Sequence, residues 1–457
     1  RDTRDVIIDH IIDDLNFAYE NMTQKPAPWN ASTVTKWIPM AYKARVLLYE
    51  ASWRKYHAGT DFVKGCDKYT PEQLFQMAAD AAKEVIEKGP YKLYTTGTYA
   101  NGAGGAFRKL FTEDNAVTTE VMLAQVYDEE LAYRGAQNYY YNRQATTVRQ
   151  SFSRKFMNSF LNKDGSPYSE LDANGKYKLF KEETTDRDPR LNMSIRAWDY
   201  KMKDASGALV FTAAPFQNHT VTGYHPTKIV ADDATVGSSQ DNVNDYPLMR
   251  FAEVLLNYAE AMAELGKMDD AVWTQTIGAL RKRAGITGGT TATGTLTQAP
   301  SGTPDPYIAA YYPGISDPKI LEVRRERACE LALEGFRPDD LKRWRMGDLF
   351  VNDPWEGIYF QSLETPIDVN GDGTDDVYFY TGSKPQQTKY KSIAVQLPGT
   401  AKDPLACVKL PNNAGYLLKW NLTGREWPER QYLRPIPTTV MRKNPNLEQN
   451  PGWKGLE

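Results

Sequence analysis

The chain is 457 residues long with 55 Lys+Arg against 58 Asp+Glu, a formal net charge of −3 and a pI near 6.0, which excludes the broad cationic field of a nucleic-acid or anionic-membrane binder. Hydrophobic residues at 41% and charged residues at 25% describe a folded chain; it is about three ordinary domains long and can bury roughly 75% of its unfolded surface without disulfide staples. No run approaches the ~20 apolar residues of a membrane-spanning helix.

Residues 1–120 read as helices. Ile7, Ile8, Ile11, Ile12, Leu15 and Ala18 recur at helical spacing, and Ala41, Ala44, Leu47, Leu48 and Ala51 do so again. A third stretch, 78–86, lines up Ala79, Ala82, Val85 and Ile86, small enough for close packing, and stops at Gly89-Pro90. Residues 121–245 change character. Segments 120–126 and 208–212 are strand-like, while Asp164-Gly165 and Gly223 mark loops, so a long loop-rich insert with short strands is predicted.

Helices resume over 246–350. Leu248, Phe251, Leu255, Tyr258, Ala259 and Met262 form one stripe across a helix predicted at 246–266. Gly266 followed by Ala271 matches the closing turn of a tetratricopeptide helix pair. The second helix ends at Arg281-Lys282-Arg283-Ala284-Gly285, basic residues then glycine. A Gly/Thr/Pro loop covers 287–305, with further helical stretches at 320–333 and 339–344. Residues 351–457 read as loops and short strands with a proline-rich end. The expected fold is mainly α: a tetratricopeptide-like helical repeat scaffold, one domain over 1–457, with large loop-rich inserts that carry binding.

Chemistry-bearing residues are sparse. Cys66, Cys329 and Cys407 have no CxxC spacing, and His10, His57, His219 and His225 form no HExxH or H-x-H pattern. Glu326, Glu330 and Glu334 could be the paired acids of a glycoside hydrolase. Arg324, Arg327, Arg337 and Arg343 lie close enough in sequence to neutralise them, which favours salt-bridged scaffold over general acids. The glycine runs at 102–105 and 285–289 lack the Lys-Ser/Thr of a phosphate loop and read as flexible connectors.

Asp368, Asn370, Asp372, Thr374 and Asp376 alternate around two glycines, an oxygen-rich spacing that suits a structural Ca2+ ion. The acid of a full EF-hand is replaced by Phe379, and an ion-free Asx-turn hairpin is the alternative. Ten Trp, 28 Tyr and 16 Phe give 12% aromatics. Rings beside Asn, Gln, Asp and Arg in the inserts suit a carbohydrate platform. The ligand-binding candidates are Tyr139, Tyr140, Trp198, Tyr224, Trp355 and Tyr359; the loop-packing alternative applies to each.

Several blocks resemble the SusD/RagB family of Bacteroidetes outer-membrane nutrient-binding lipoproteins. They are the Tyr246-Pro-Leu-Met-Arg250 helix entry with Glu253, Asn257 and Glu260, then Arg281-Lys282-Arg283-Ala284-Gly285. Glu326-Arg327 through Glu330, Glu334-Gly335-Phe336-Arg337, Asp340-Leu341 and Arg343-Trp344 follow, and last Leu433-Arg434-Pro435-Ile436-Pro437 with Asn450-Pro451-Gly452-Trp453. The resemblance implies a binding protein rather than an enzyme. It would capture an oligosaccharide, or in some members a peptide, and deliver it to a SusC-like TonB-dependent transporter. It also implies that the charged residues at 326–343 are scaffold. Members begin with a lipidated cysteine and a segment before the first repeat. Neither is present ahead of Arg1, where no leader stretch occurs, so the anchor and part of the site are expected outside this chain. A pure protein-interaction scaffold remains the rival.

Overall fold

The computed structural model describes residues 2–24, 30–97, 105–143, 150–213, 220–237, 241–352, 355–387, 389–397, 408–410, 414–418, 425–444 and 446–455. Helix Arg4–Asn21 starts where the Thr3 hydroxyl accepts the Val6 amide. Helix Pro71–Lys88 starts with a reciprocal capping box between Thr70 and Gln73, with Pro71 at the first turn. Trp37–Tyr56 packs between these two, and Phe251–Glu264 lies across Pro71–Lys88. Ala44, Ala51, Ala78, Ala82, Ala252, Ala259 and Ala261 are buried in the shared core. Their short methyl side chains let the backbones approach, and Leu47, Phe75, Leu255 and Leu280 fill the remaining space.

One predicted boundary moves. Residues 246–250 are a strand, Tyr246–Arg250, paired antiparallel with Val121–Gln125, and the helix begins only at Phe251. Arg250 is extended at φ −141 and ψ 156, and the Phe251 amide donates to the Glu120 carbonyl at 2.9 Å. Periodicity cannot separate the last strand residues from the first helical turn when both bury the same face.

The paired helix runs continuously as Asp270–Trp273, a π turn Thr274–Gly278, and Ala279–Ala284, closed by Gly285 at φ +97. The 285–289 run is packed rather than a flexible connector, a Cβ on Gly288 standing 2.8 Å from the Asp164 carbonyl oxygen, and the loop 287–305 that follows is packed as well. Trp273, fully buried, donates to the Thr295 carbonyl at 2.7 Å, and a Cβ on Gly278 would stand 2.1 Å from the Leu296 carbonyl oxygen. Of the 102–105 run, residues 102–104 lie outside the described residues, as do Cys407 and His219.

The C-terminal third holds more sheet than its sequence implies. Six strands lie in the order Glu356–Phe360, Gly415–Leu418, Val408–Lys409, Lys391–Gln396, Val377–Tyr380, Pro366–Ile367, with parallel pairing on both sides of Lys391–Gln396. One face buries Ile358, Phe360, Val377, Phe379, Ile393 and Val395 against Met157, Phe160, Phe180, Leu191 and Ile195. The Phe360 and Phe379 rings stack at 4.4 Å. Parallel partners far apart in sequence leave no local signature beyond short apolar runs.

Between scaffold and sheet lies a buried ionic network. Helix Pro318–Glu330 presents Glu322, Glu326 and Glu330, all buried. Glu326 accepts from Arg190 at 2.5 Å and Arg281 at 2.9 Å. Glu330 accepts from Arg190 at 2.8 Å, Arg250 at 2.6 Å and Arg283, and Glu334 from Lys228 and Arg250, both at 2.7 Å. The expectation of neutralised acids holds, but the cations come from other segments. Of the four local arginines, Arg343 pairs with Glu260 and Asp340, and Arg327 with Asp340 at 2.7 Å. Arg324 stands 3.8 Å from Glu264, over the Trp344 ring at 4.4 Å.

Candidate functional site

A cavity of about 710 Å³ opens where the scaffold meets the sheet-bearing region, within the range of small-ligand sites. Its shape follows from the turn after Pro318–Glu330. Leu333 at φ +65 and Gly335 at φ +87 turn the chain back sharply. The intervening Glu334 carboxylate swings inward to Lys228 and Arg250, while Phe336, Arg337 and Pro338 line the cavity. A left-handed leucine costs about 1–2 kcal/mol. The buried Glu334 bonds and the Tyr246 hydroxyl, donating to the Leu333 carbonyl at 3.0 Å, hold it there.

Aromatic rings form the remaining walls. Phe152 and Phe156 lie 5.3 Å apart at the entry to helix Arg154–Ser159. Phe350 stacks on Trp427 at 4.8 Å, and Tyr311 forms part of the lining. Trp355, at the head of strand Glu356–Phe360, is 45% exposed. Among the described residues the lining holds no histidine, and its one carboxylate, Asp340, is committed to Arg327 and Arg343. The described lining hydroxyls are engaged as well: Ser153 caps its helix by accepting the Phe156 amide, and Thr222 donates to the Phe152 carbonyl at 2.8 Å. Flat apolar faces with a few fixed polar groups suit a pyranose ring.

The six ligand candidates do not converge. Trp355 alone lines this cavity. Tyr359 belongs to a separate cluster, 5.0 Å from Tyr177 and 5.5 Å from Tyr416, whose hydroxyl donates to Glu170 at 2.5 Å. Tyr139 and Tyr140 pack edge to face at 5.4 Å on a π turn, with Tyr140 47% exposed. Trp198 is half-buried beneath the Lys181 ammonium, 5.2 Å from its ring. Tyr224 is corrected. It is 1% exposed, and its hydroxyl accepts from Arg154 at 3.0 Å, so neither ring face is open to a ligand. Phe152, Phe156, Phe350 and Arg337 were missed as site residues because they meet only through the fold.

In the acidic loop the oxygens serve the loop's own amides. Asp368 accepts from Gly371 at 2.6 Å and Gly373 at 2.8 Å, Asp372 from Thr374 at 2.8 Å, and Asp376 from Val369 at 2.9 Å. Asn370 is buried and donates to Asp372 at 3.1 Å. Burial, then the charges of Asp372 and Asp368, pushes the Asp376 carboxyl up to about 6. Among the described residues no group of three or more His, Cys, Asp or Glu side chains is arranged to hold a metal.

A wider groove of about 1140 Å³ runs between Arg4–Asn21, Trp37–Tyr56 and residues 446–451. It contains no tryptophan among its described lining residues, and its charges include scaffold pairs such as Arg4–Glu50 at 2.6 Å.

The fold has known counterparts. A SusD-like protein from Bacteroides fragilis NCTC 9343 superposes with a TM-score of 0.61 at 18% identity, covering 99% of this chain and 72% of that one. A SusD-like carbohydrate binding protein from the same strain gives 0.58 at 19% identity, covering 98% and 72%. No curated protein matches the chain. The SusD family model matches residues 119–453, spanning the helix pair of residues 251–284, the Glu326–Trp344 motif and the sheet, so the chain belongs to the SusD family.

Proposed function

We propose that the protein binds an oligosaccharide in the Trp355 cavity and delivers it to a SusC-like TonB-dependent transporter at the outer membrane. The observation that carries this reading is the cavity of about 710 Å³ walled by Phe152, Phe156, Tyr311, Phe350 and Trp355. Its carboxylate is already neutralised, which favours binding over acid–base catalysis. In this reading a lipid outside the present chain provides attachment; no helix among the described residues is long and apolar enough to cross a membrane. The acidic loop joins the reading as a structural Ca2+ site, supported by its oxygen-rich spacing and by the like-charge pressure on Asp376, which a cation would relieve.

The test is a glycan array run beside a peptide pool, with wild-type protein and Trp355→Ala. A specific glycan hit weakened by about 1–3 kcal/mol in the variant, the scale of lost ring stacking, is the expected result. Unchanged affinity would remove Trp355 from the site. Peptide binding with silence on glycans would replace the sugar with a peptide.

A further inference from the structure

Most buried arginines here are answered by a carboxylate, while buried Arg187 is satisfied instead by the Leu161, Glu183, Met157 and Phe160 carbonyls. Arg190, Arg250, Arg281, Arg283, Arg325, Arg327 and Arg343 each pair with Glu or Asp within 3 Å. Arg337, at the start of helix Arg337–Arg343, has neither a paired carboxylate nor a set of carbonyls among the described residues. It is half-buried in the lining of the Trp355 cavity. Among the described residues its only hydrogen bond runs from Nη1 to the Tyr312 hydroxyl, at 2.7 Å. The guanidinium also lies 5.6 Å from the Tyr311 ring and 5.4 Å from the Tyr312 ring, and no carboxylate stands within ion-pair distance among the described residues. The one acid of the lining, Asp340, is taken by Arg327 at 2.7 Å and Arg343 at 2.9 Å. Among the described lining residues, Arg337 is therefore the one cation without a paired carboxylate, set against aromatic walls.

Such a charge is costly in a largely apolar site, and the tyrosine rings offset only part of that cost. A carboxylate would offset far more, because the Nε–Nη2 edge, which makes no hydrogen bond among the described residues, matches it in bidentate fashion. We propose that the cavity is selective for a carboxylate-bearing ligand, with Arg337 pairing the carboxylate of a uronic acid unit while Trp355 covers an apolar face of the sugar chain. The inference rests on the oligosaccharide reading of the cavity. The same carboxylate chemistry could come from the C-terminus of a peptide, and the test separates the two sources.

The experiment is calorimetric titration of the wild-type chain with an oligogalacturonide, with its methyl ester and with a neutral xylo-oligosaccharide of equal length. A peptide with a free C-terminus and its C-terminal amide complete the set. The expected result is at least tenfold tighter binding of the acid than of its ester, with the advantage lost in Arg337→Gln and falling as salt rises. Comparing acid with ester needs no substitution, so a poorly folding variant leaves the result readable. Equal binding of acid, ester and neutral sugar overturns the charge preference while leaving the oligosaccharide reading intact. Binding of the free-C-terminus peptide alone upholds the carboxylate pairing and overturns the sugar. Silence on every probe overturns both.

Discussion

Glu330→Gln distinguishes a structural carboxylate from a functional one. The side chain is fully buried and accepts from Arg190 at 2.8 Å, from Arg250 at 2.6 Å and from Arg283. Glutamine keeps the shape and one acceptor oxygen but turns an amide donor toward guanidinium groups. Removing one partner of a buried ion pair costs about 3–5 kcal/mol. Here each arginine keeps another acid: Arg190 has Asp188 and Glu326, Arg250 has Glu120 and Glu334, and Arg283 has Glu120. The loss should therefore sit near ~3 kcal/mol, the lower end of that range. Urea denaturation followed by circular dichroism reads it as a lower midpoint at unchanged slope. Burial pushes Glu330 up, but Arg283, Arg250 and Arg190 win and hold it well below the usual carboxylate range. Its contribution is thus present above the unfolded carboxyl range and is lost as pH falls, so the gap between wild type and variant narrows on acidification. Ligand affinity of the folded variant should fall far less than its stability, because Glu334 keeps Lys228 and Arg250 and still holds the cavity turn. An unchanged midpoint with lost binding or turnover would refute the scaffold assignment.

Other outcomes follow from single contacts. Gly165→Ala combines φ +80 with a Cβ 2.6 Å from the Gly288 carbonyl oxygen, a backbone atom that cannot swing away. It should cost about 1–3 kcal/mol, as overpacking does, and a variant as stable as wild type would show that loop 287–305 yields. Burial pushes Glu260 up, but Arg343 then Arg327 hold it at about 2, so its stabilisation is lost between its ordinary value of 4.5 and 2. Glu260→Gln should flatten that stretch of the pH–stability curve, and parallel curves would contradict the assignment. In EDTA, Asp376→Asn should melt higher than wild type at pH 7.5 but not below pH 3.8, because a carboxyl raised from 3.8 to about 6 loses its contribution to the fold as pH rises through that window. Calcium should raise the wild-type melting temperature alone; identical wild-type melts with and without EDTA would remove the ion.

How much was legible before folding depends on how far each signal reaches. The alanine-rich helices, the Gly285 stop and the strand Val377–Tyr380 carry local signatures, in spacing and in caps, and all are found. The family motifs are equally local, since strings such as Glu326–Trp344 encode one helix, its turn and the next helix. Hidden from that reading were pairings between distant segments. Arg190, Arg250 and Arg283 reach Glu330 across 140, 80 and 47 residues, and no spacing rule on one helix could name them. The site shows the same division. Exposed aromatics could be guessed from composition, but a ring becomes a binding surface only when the fold leaves one of its faces open. Folding buried Tyr224, placed Trp198 beneath Lys181, and gathered Phe152, Phe350, Trp355 and Arg337 from three separate stretches around one cavity.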